Sequence, residues 1–396
     1  MDRSQPQRSG SGGGVDRLSK LEDHVLGHIL SFLPAKEAAR AALLSPRWRD
    51  VFAGVHTVSM EEPESPPIDD DRLWRSTHCT YCGPQPDPDG PRSFTATVAA
   101  ALLGRHRRGG AVPLRALRVA MEGYRGKDAA TLDQCVSYAV QQAGPALDVG
   151  LRFWYRLQVC IRPYALEDED DQLGLQGIRI PVQNGSFVAS EDEERAVQDR
   201  DGWPGMPAVY MVPRVLFSCA TLRSLSLRSC LLAPPGTVCL PSLEILLLSC
   251  VHDEGNEVQR LITGCPRLAD LTIEACEVGT ALSVLDGPRL RRLALQCCHE
   301  LASFAVDASE LQAFEYRGAV PDSSLLTLQG GTQKIKYCKI DICGMEVTSK
   351  EELTNFRELL QLFANAQHLH LESARLGSGI DKDVFLTFPA WPRRLC

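Results

Sequence analysis

The chain has 396 residues, 44% apolar and 23% charged, an ordinary globular composition whose length predicts about two or three domains. Its net charge of -8 speaks against general polyanion binding, which needs a concentrated basic face. No run of about 18 apolar residues is present to span a bilayer, and the opening MDRSQPQRSGSGGG lacks the apolar core of a secretory signal. An intracellular, reducing location in cytoplasm or nucleus is therefore expected, with no nucleic-acid or membrane partner. The 15 cysteines then read as free thiols, most of them small buried hydrophobes.

Residues 1–14, rich in Ser, Gly and Gln, predict a flexible tail. A helical module follows over 15–55. In LSKLEDHVLGHILSFLP, Ser19 and Glu22 form a candidate capping box. Leu21, Val25, Leu26, Ile29, Leu30 and Leu33 recur at helical spacing until Pro34 ends the run. The alanine-rich AKEAARAALL, 35–44, predicts a second helix. SPRWRDVF opens a third, with Ser45 as N-cap, Pro46 as first helical residue, and Trp48, Val51 and Phe52 facing inward. So small a core is marginal alone and calls for a partner or a covering domain.

The stretch LSKLEDHVLGHILSFLPAKEAARAALLSPRWRDVF resembles an F-box, in the plant form L-S-x-L-P-D-x-[LV]-L-x-x-I-L-S-F-L-P followed by an alanine-rich segment and L-S-x-R-W-R. Matching positions include Leu18, Ser19, Leu21, Asp23, Leu26, Ile29, Phe32, Leu33, Pro34, Leu44, Ser45, Arg47 and Trp48. Glu22 stands where the family has proline. The resemblance implies docking onto a Skp1-like adaptor, and through it a cullin, with Leu21, Glu22, Val25, Leu26, Ile29, Leu33 and Pro34 making or supporting the contact. Trp48 is expected to hold the small core.

Residues 56–110 read as a connection, proline- and acid-rich over 60–94. Inside it, HCTYC carries His78, Cys79 and Cys82. A lone C-x-x-C could give half a zinc site or a redox pair, but neither a second pair nor a thioredoxin-like pattern accompanies it, so a loop with free thiols is expected. RHRRGG, 105–110, reads as a solvated loop before a strand.

From residue 222 a phrase returns: Leu, two residues, Leu, one residue, Leu, then often Cys. Its first leucines are Leu222, Leu243, Leu268, Leu290 and Leu311, at steps of 21, 25, 22 and 21 residues, within the range of about 20–29 of leucine-rich repeats. Weaker copies begin at Leu114 and lie near Val149 and Leu151, Ile335, and Leu369 and Leu371. Each Leu-x-Leu predicts a short strand, and stacked strands give a parallel sheet over a continuous core. Residues between the leucines then face outward on the concave side: Ser224, Ser226, Arg228, Ile245, Leu247, Asp270, Thr272, Glu274, Arg292, Ala294 and Gln296. Cys230, Cys250, Cys276 and Cys298 fall where strands turn, and Cys219, Cys239 and Cys265 precede repeats.

LITGCPRLADLTI and the later GGTQKIKYCKIDICG resemble the leucine-rich half of plant F-box proteins, notably a large grass-type group. The expected fold is α+β: a three-helix F-box, then an α/β leucine-rich-repeat horseshoe over 111–396. An acidic insertion at about 165–206 interrupts the repeats, and FPAWPRRLC ends the chain where another strand is expected, as in a shortened product. No phosphate-cradling loop, H-E-x-x-H or nucleophile elbow appears, and His24, His28, His56, His299, His368 and His370 are scattered. The resemblance thus implies a non-catalytic, cofactor-free target-recognition subunit of a cullin-based ubiquitin ligase. Its target is unknown, and Arg228, Asp270, Glu274 and Arg292 are the candidate target contacts. A repeat scaffold without docking, or a metal or redox protein built on HCTYC, are the alternatives.

Overall fold

The computed structural model describes residues 18–62 except 42, 94–106, 112–153 except 122 and 123, 209–343 except 252, 254, 279, 280 and 286–289, and 350–373. The expected tail, HCTYC, most of RHRRGG, the acidic insertion and FPAWPRRLC lie outside the described residues.

Helices α1 (Asp23–Leu30), α2 (Ala35–Ala41) and α3 (Pro46–Ala53) form the opening module. Ser45 caps α3 as expected, accepting the Trp48 amide at 3.3 Å, with Pro46 in the first turn. The expected capping box of α1 does not form. Leu18–Lys20 make a 3-10 turn closed by the Leu21 amide on the Leu18 carbonyl at 3.0 Å. That turn moves the helix start downstream, so Glu22 occupies the N-cap position without a side-chain cap and its carboxylate meets His24 at 3.1 Å. Leu26, Leu30, Ala38, Val51 and Phe52 bury against one another, with Leu21 and Trp48 at the margin. A Cβ on Gly27 would lie 3.1 Å from the Gly54 carbonyl oxygen, so glycine lets α1 cross the end of α3 closely.

Among the described residues the sheet holds ten strands. They are β1 (Thr57–Glu61), β2 (Leu114–Met121), β3 (Ala143–Phe153), β5 (Leu222–Arg228), β7 (Ile245–Ser249), β8 (Asp270–Glu274), β10 (Arg292–Gln296), β12 (Ala313–Gly318), β14 (Tyr337–Ile342) and β15 (His368–Ser373). They lie side by side in chain order, and every described pairing is parallel. Monotonic order of this kind is what stacked repeats produce, each contacting only its neighbours. The weaker sequence copies all enter the same sheet, as β2, β3, β14 and β15. The 56–110 segment, expected as connection, instead supplies strand β1 at one end and helix α4 (Phe94–His106) at the other.

Register explains the core. Val149, Leu225, Leu246, Leu271, Leu293, Phe314 and Cys338 form one row across the strands, and Leu151, Leu227, Leu248, Ile273, Leu295, Tyr316 and Ile340 form the next. The other side of this core is closed by α5 (Ala129–Gln141), α6 (Glu257–Thr263), α7 (Lys350–Leu362) and a parallel three-stranded sheet of β9 (Ala281–Val284), β11 (Ser303–Asp307) and β13 (Leu326–Gln329). Short strands β4 (Tyr210–Met211) and β6 (Cys230–Leu231) pair at one margin. The class is therefore that of mixed helices around a parallel sheet.

Helix α4 joins the two parts. Its Ala101 packs into the module's cluster, and its Val98 and Leu102 pack into the sheet's. Arg105, expected on a solvated loop, is instead fully buried, at 0% exposure. Its guanidinium donates to the carbonyls of Val55 and Val112, each at 2.6 Å. The Val55 carbonyl beside β1 would otherwise be stranded in an apolar setting, and the bond to the exposed Val112 helps satisfy the cation there.

Candidate functional site

Two surfaces stand out. The first is the rim of the helical module. Phe32 is 76% exposed, Leu43 81% and Leu44 73%, joined by Leu18, Ile29 and Leu33. Leu18 precedes α1, and the others sit where α1 ends and where α2 turns into α3. Isolated exposed leucines are common, but this many beside one small core mark a contact surface. Behind the rim, Arg47 donates to the Asp23 carboxylate at 2.8 Å and to the Leu21 carbonyl, locking the start of α3 to the start of α1. The Ser31 hydroxyl donates to the Gly27 carbonyl at 2.8 Å and accepts the His56 amide at 3.1 Å, tying the end of α1 to the first strand. Asp23, Ser31 and Arg47 thus serve to hold the module's shape.

The sequence-expected docking residues divide accordingly. Glu22, Ile29, Leu33 and Pro34 are exposed, Leu21 and Val25 are half-buried, and Leu26 is wholly buried. Leu26 can only support a contact from beneath, because its side chain is spent on the module's own core. Leu18, Phe32, Leu43 and Leu44 were missing from that set. Their signal was their apolar character at positions where the helical spacing of the core had no place for them.

The second surface is the outward face of the ten-stranded sheet. Three rows cross it. The row at the strand ends carries Arg152, Arg228, Ser249, Glu274, Gln296, Arg317 and Asp341. Asp270 and Arg292, in the opening row, come together at 3.2 Å, and Arg292 also reaches Glu315 at 2.9 Å. Those carboxylates raise the Arg292 pKa against the effect of burial, which lowers it. Glu274 stands at the far end of its strand, accepting the Ser249 hydroxyl at 2.7 Å, with Arg228 in register with Ser249. The four expected target contacts therefore share one face but not one point. Ala294, expected outward, is buried. Its register neighbours are Thr272 and Glu315, and Arg292 bonds both, roofing the small side chain. Ile245 and Tyr337 are exposed apolar members of the Asp270 row.

The cysteine expectations need a correction in register. Ser229, Cys250, Ala275 and Cys297 hold left-handed backbone, with φ between 50° and 54°. The residue after each fills the inward slot: Cys230, Val251 and Cys276, all buried, and the half-buried Cys298. Cys250 is thus the turn residue itself, and Val251 takes the thiol's place. Likewise Leu240, not the exposed Cys239, matches the buried Cys219 and Cys265. Buried thiols donate two residues back, Cys230 to Arg228 and Cys276 to Glu274, both at 3.3 Å. Burial pushes Cys135 and Cys298 up to about 11 and Cys265 to about 12, so these thiols are poor nucleophiles. None of the eleven described cysteines is in a disulfide.

A helical module with an apolar rim, followed by stacked leucine-rich repeats, defines a two-part interaction protein. Comparison with known proteins matches both parts. The F-box domain profile matches residues 18–57, and the profile described as "FBD-associated F-box protein At5g56370, LRR repeats" matches 194–328. Among curated relatives, "F-box/FBD/LRR-repeat protein At4g26340" of Arabidopsis thaliana is 25% identical over 284 residues, 71% of this chain and 49% of that one. "F-box/LRR-repeat protein At4g14103" of the same plant is 25% identical over 266 residues, 66% of this chain and 50% of its own length. The chain spans about half the length of these relatives. "Putative F-box protein At5g40050", also from Arabidopsis thaliana, is 55% identical over 42 residues, 11% of this chain and 10% of that one. The chain thus carries an F-box and a stretch of leucine-rich repeats similar to those of plant F-box/LRR-repeat proteins. No helix among the described residues is long and apolar enough to cross a membrane.

Proposed function

We propose that the chain is the target-recognition subunit of an SCF-type ubiquitin ligase in the cytoplasm or nucleus. The rim of the F-box docks onto a Skp1-like adaptor and through it a cullin, while the outward, concave face of the repeats takes the target protein. Ubiquitin transfer belongs to other subunits, and the chain itself is non-catalytic. The observation that carries this reading is the exposure of Phe32, Leu33, Leu43 and Leu44 beside a closed core. A partner that covers them removes apolar area from water, at about 25 cal/mol per Å².

Co-purification of the full chain with a Skp1-like protein tests it. Phe32→Ala with Leu44→Ala should weaken capture by more than about tenfold, since truncating central apolar anchors costs about 2 kcal/mol or more and each 1.4 kcal/mol is tenfold. Unchanged capture by a folded variant would refute docking through this rim. A second reading, a repeat scaffold without docking, draws on the exposed charge of Glu22. The Glu22 φ of −69° is the angle a proline ring imposes, so Glu22→Pro should fit and leave capture equal or tighter. If neither the natural chain nor Glu22→Pro captures the adaptor, the scaffold reading stands.

A further inference from the structure

Cys297, His299 and Cys343 bring two sulfurs and an imidazole nitrogen within 4.8 Å of one another at the strand ends of β10 and β14. Both cysteines are buried, whereas His299 is exposed and hydrogen-bonds the Cys343 thiol. The thiol slot of this repeat is already filled by Cys298, whose S–H reaches the Gln296 and Ile273 carbonyls, each at 3.4 Å. Cys297 is therefore surplus to the repeat. Its equivalents at the left-handed position are Ser229, Cys250 and Ala275, so the backbone there makes no demand for sulfur. Its amide bonds the Arg317 carbonyl at 2.5 Å, and the Cys343 amide bonds the Gly318 carbonyl at 2.8 Å. The two cysteines thus flank the end of β12 from either side, and their side chains converge across it. Tyr316 closes this end, its hydroxyl donating to the Ala319 carbonyl at 2.6 Å.

We propose that Cys297, His299 and Cys343 form a binding site for a thiophilic divalent metal ion, zinc first, with water in the fourth position. Two thiolates and an imidazole are a donor set that selects zinc over calcium or magnesium. Tetrahedral zinc with bonds of about 2.3 Å to sulfur and 2.0–2.1 Å to nitrogen sets its donors about 3.5–3.8 Å apart. The observed triangle reaches that size by side-chain rotation of about 1 Å or less. The exposed side of His299 leaves the fourth position open to solvent. Binding releases the two thiol protons to water, so it strengthens as pH rises. The ion would clamp three repeats together at their ends.

The test uses the full chain, kept in a non-thiol reductant, exposed to zinc chloride and dialysed. About one zinc per chain is expected beyond that held by Cys297→Ala/Cys343→Ala, and cobalt(II) substitution should show thiolate charge-transfer absorption with the intense visible bands of a tetrahedral ion. Alanine is the residue that the equivalent turn already carries at Ala275, so the Cys297→Ala change alone is compatible with the fold. His299→Gln alters an exposed side chain and should weaken zinc binding by about an order of magnitude or more, with its circular dichroism unchanged. Equal zinc in the natural chain and the double variant would overturn the site, including the case in which the ion is held by Cys79 and Cys82. So would absence of the cobalt bands, or unaltered zinc affinity in His299→Gln. A Cys297–Cys343 disulfide found by mass spectrometry in protein isolated with its thiols blocked at lysis would replace the metal site with a redox pair.

Discussion

The repeat's chemistry turns on single positions. Cys276 is buried, donates to the Glu274 carbonyl and accepts the Val251 amide at 3.4 Å. Cys276→Ser puts a shorter, more polar group there and should cost about 1–3 kcal/mol. Cys250, one residue early in its repeat and only half-buried, should tolerate serine within about 0.5 kcal/mol. Paired urea melts of the two variants measure this contrast, and similar losses would refute the register assigned to the thiols. Arg292 gives a second test. Arg292→Glu would set a carboxylate against both Asp270 and Glu315, losing two partly screened pairs at about 0.2–1 kcal/mol each and adding repulsion. The melting temperature should fall, and Arg292→Lys should recover part of it. A melting temperature unmoved by the reversal would mean the pairs contribute nothing.

At the scale of elements, the junction between F-box and sheet depends on a few polar ties. His56 lies between them, its ring nitrogens meeting His28 at 3.1 Å and Thr57 at 3.0 Å. Burial, then the charges of Arg115, His28 and Arg105, push its pKa below the ordinary 6.5. A depressed histidine favours the neutral form in the folded state. Its contribution to stability is complete above the unfolded value of 6.5 and is lost as pH falls through the lower folded value. Thermal melts at about pH 7.5 and about pH 5 should therefore show a smaller acid loss in His56→Gln than in the natural chain. An equal loss would assign the acid sensitivity to other groups. Arg105 is the stronger tie. Replacing it with Met leaves the buried Val55 carbonyl unpaired, at about 1–3 kcal/mol for a buried acceptor, while the exposed Val112 can turn to water.

For the molecule as a whole, the two surfaces belong to different parts of the chain, so their functions should separate. Ile245→Ser with Tyr337→Ser changes exposed apolar residues on the sheet's outward face. This pair should abolish target capture, leave adaptor capture intact and shift stability little. Affinity capture with the proteasome blocked measures it, and loss of both partners together would mean that the surfaces are not independent.

Much of this architecture was legible in the sequence because its signals are local and periodic. The Leu-x-x-Leu-x-Leu phrase fixes which side chains turn inward, and an inward row of leucines has only one stable arrangement, stacked against its neighbours. Ser45 and Pro46 likewise announce a helix start through backbone angles that depend on nothing distant. Tertiary structure decided what depends on neighbours far along the chain. Whether Leu26 faces a partner or its own core depends on where α3 crosses α1. Arg105 looks like a solvated charge until β1 and β2 offer it two carbonyls. Ala294 lies buried beside the Arg292 bonds to Thr272 and Glu315, contacts that its own alternation with the leucines does not announce. Cys297, His299 and Cys343 are a triad in space because the repeat brings residues 46 apart in the chain to the same end of the sheet, on either side of β12. Sequence spacing encodes the repeat, whereas long-range contacts set which of its polar residues are free to act.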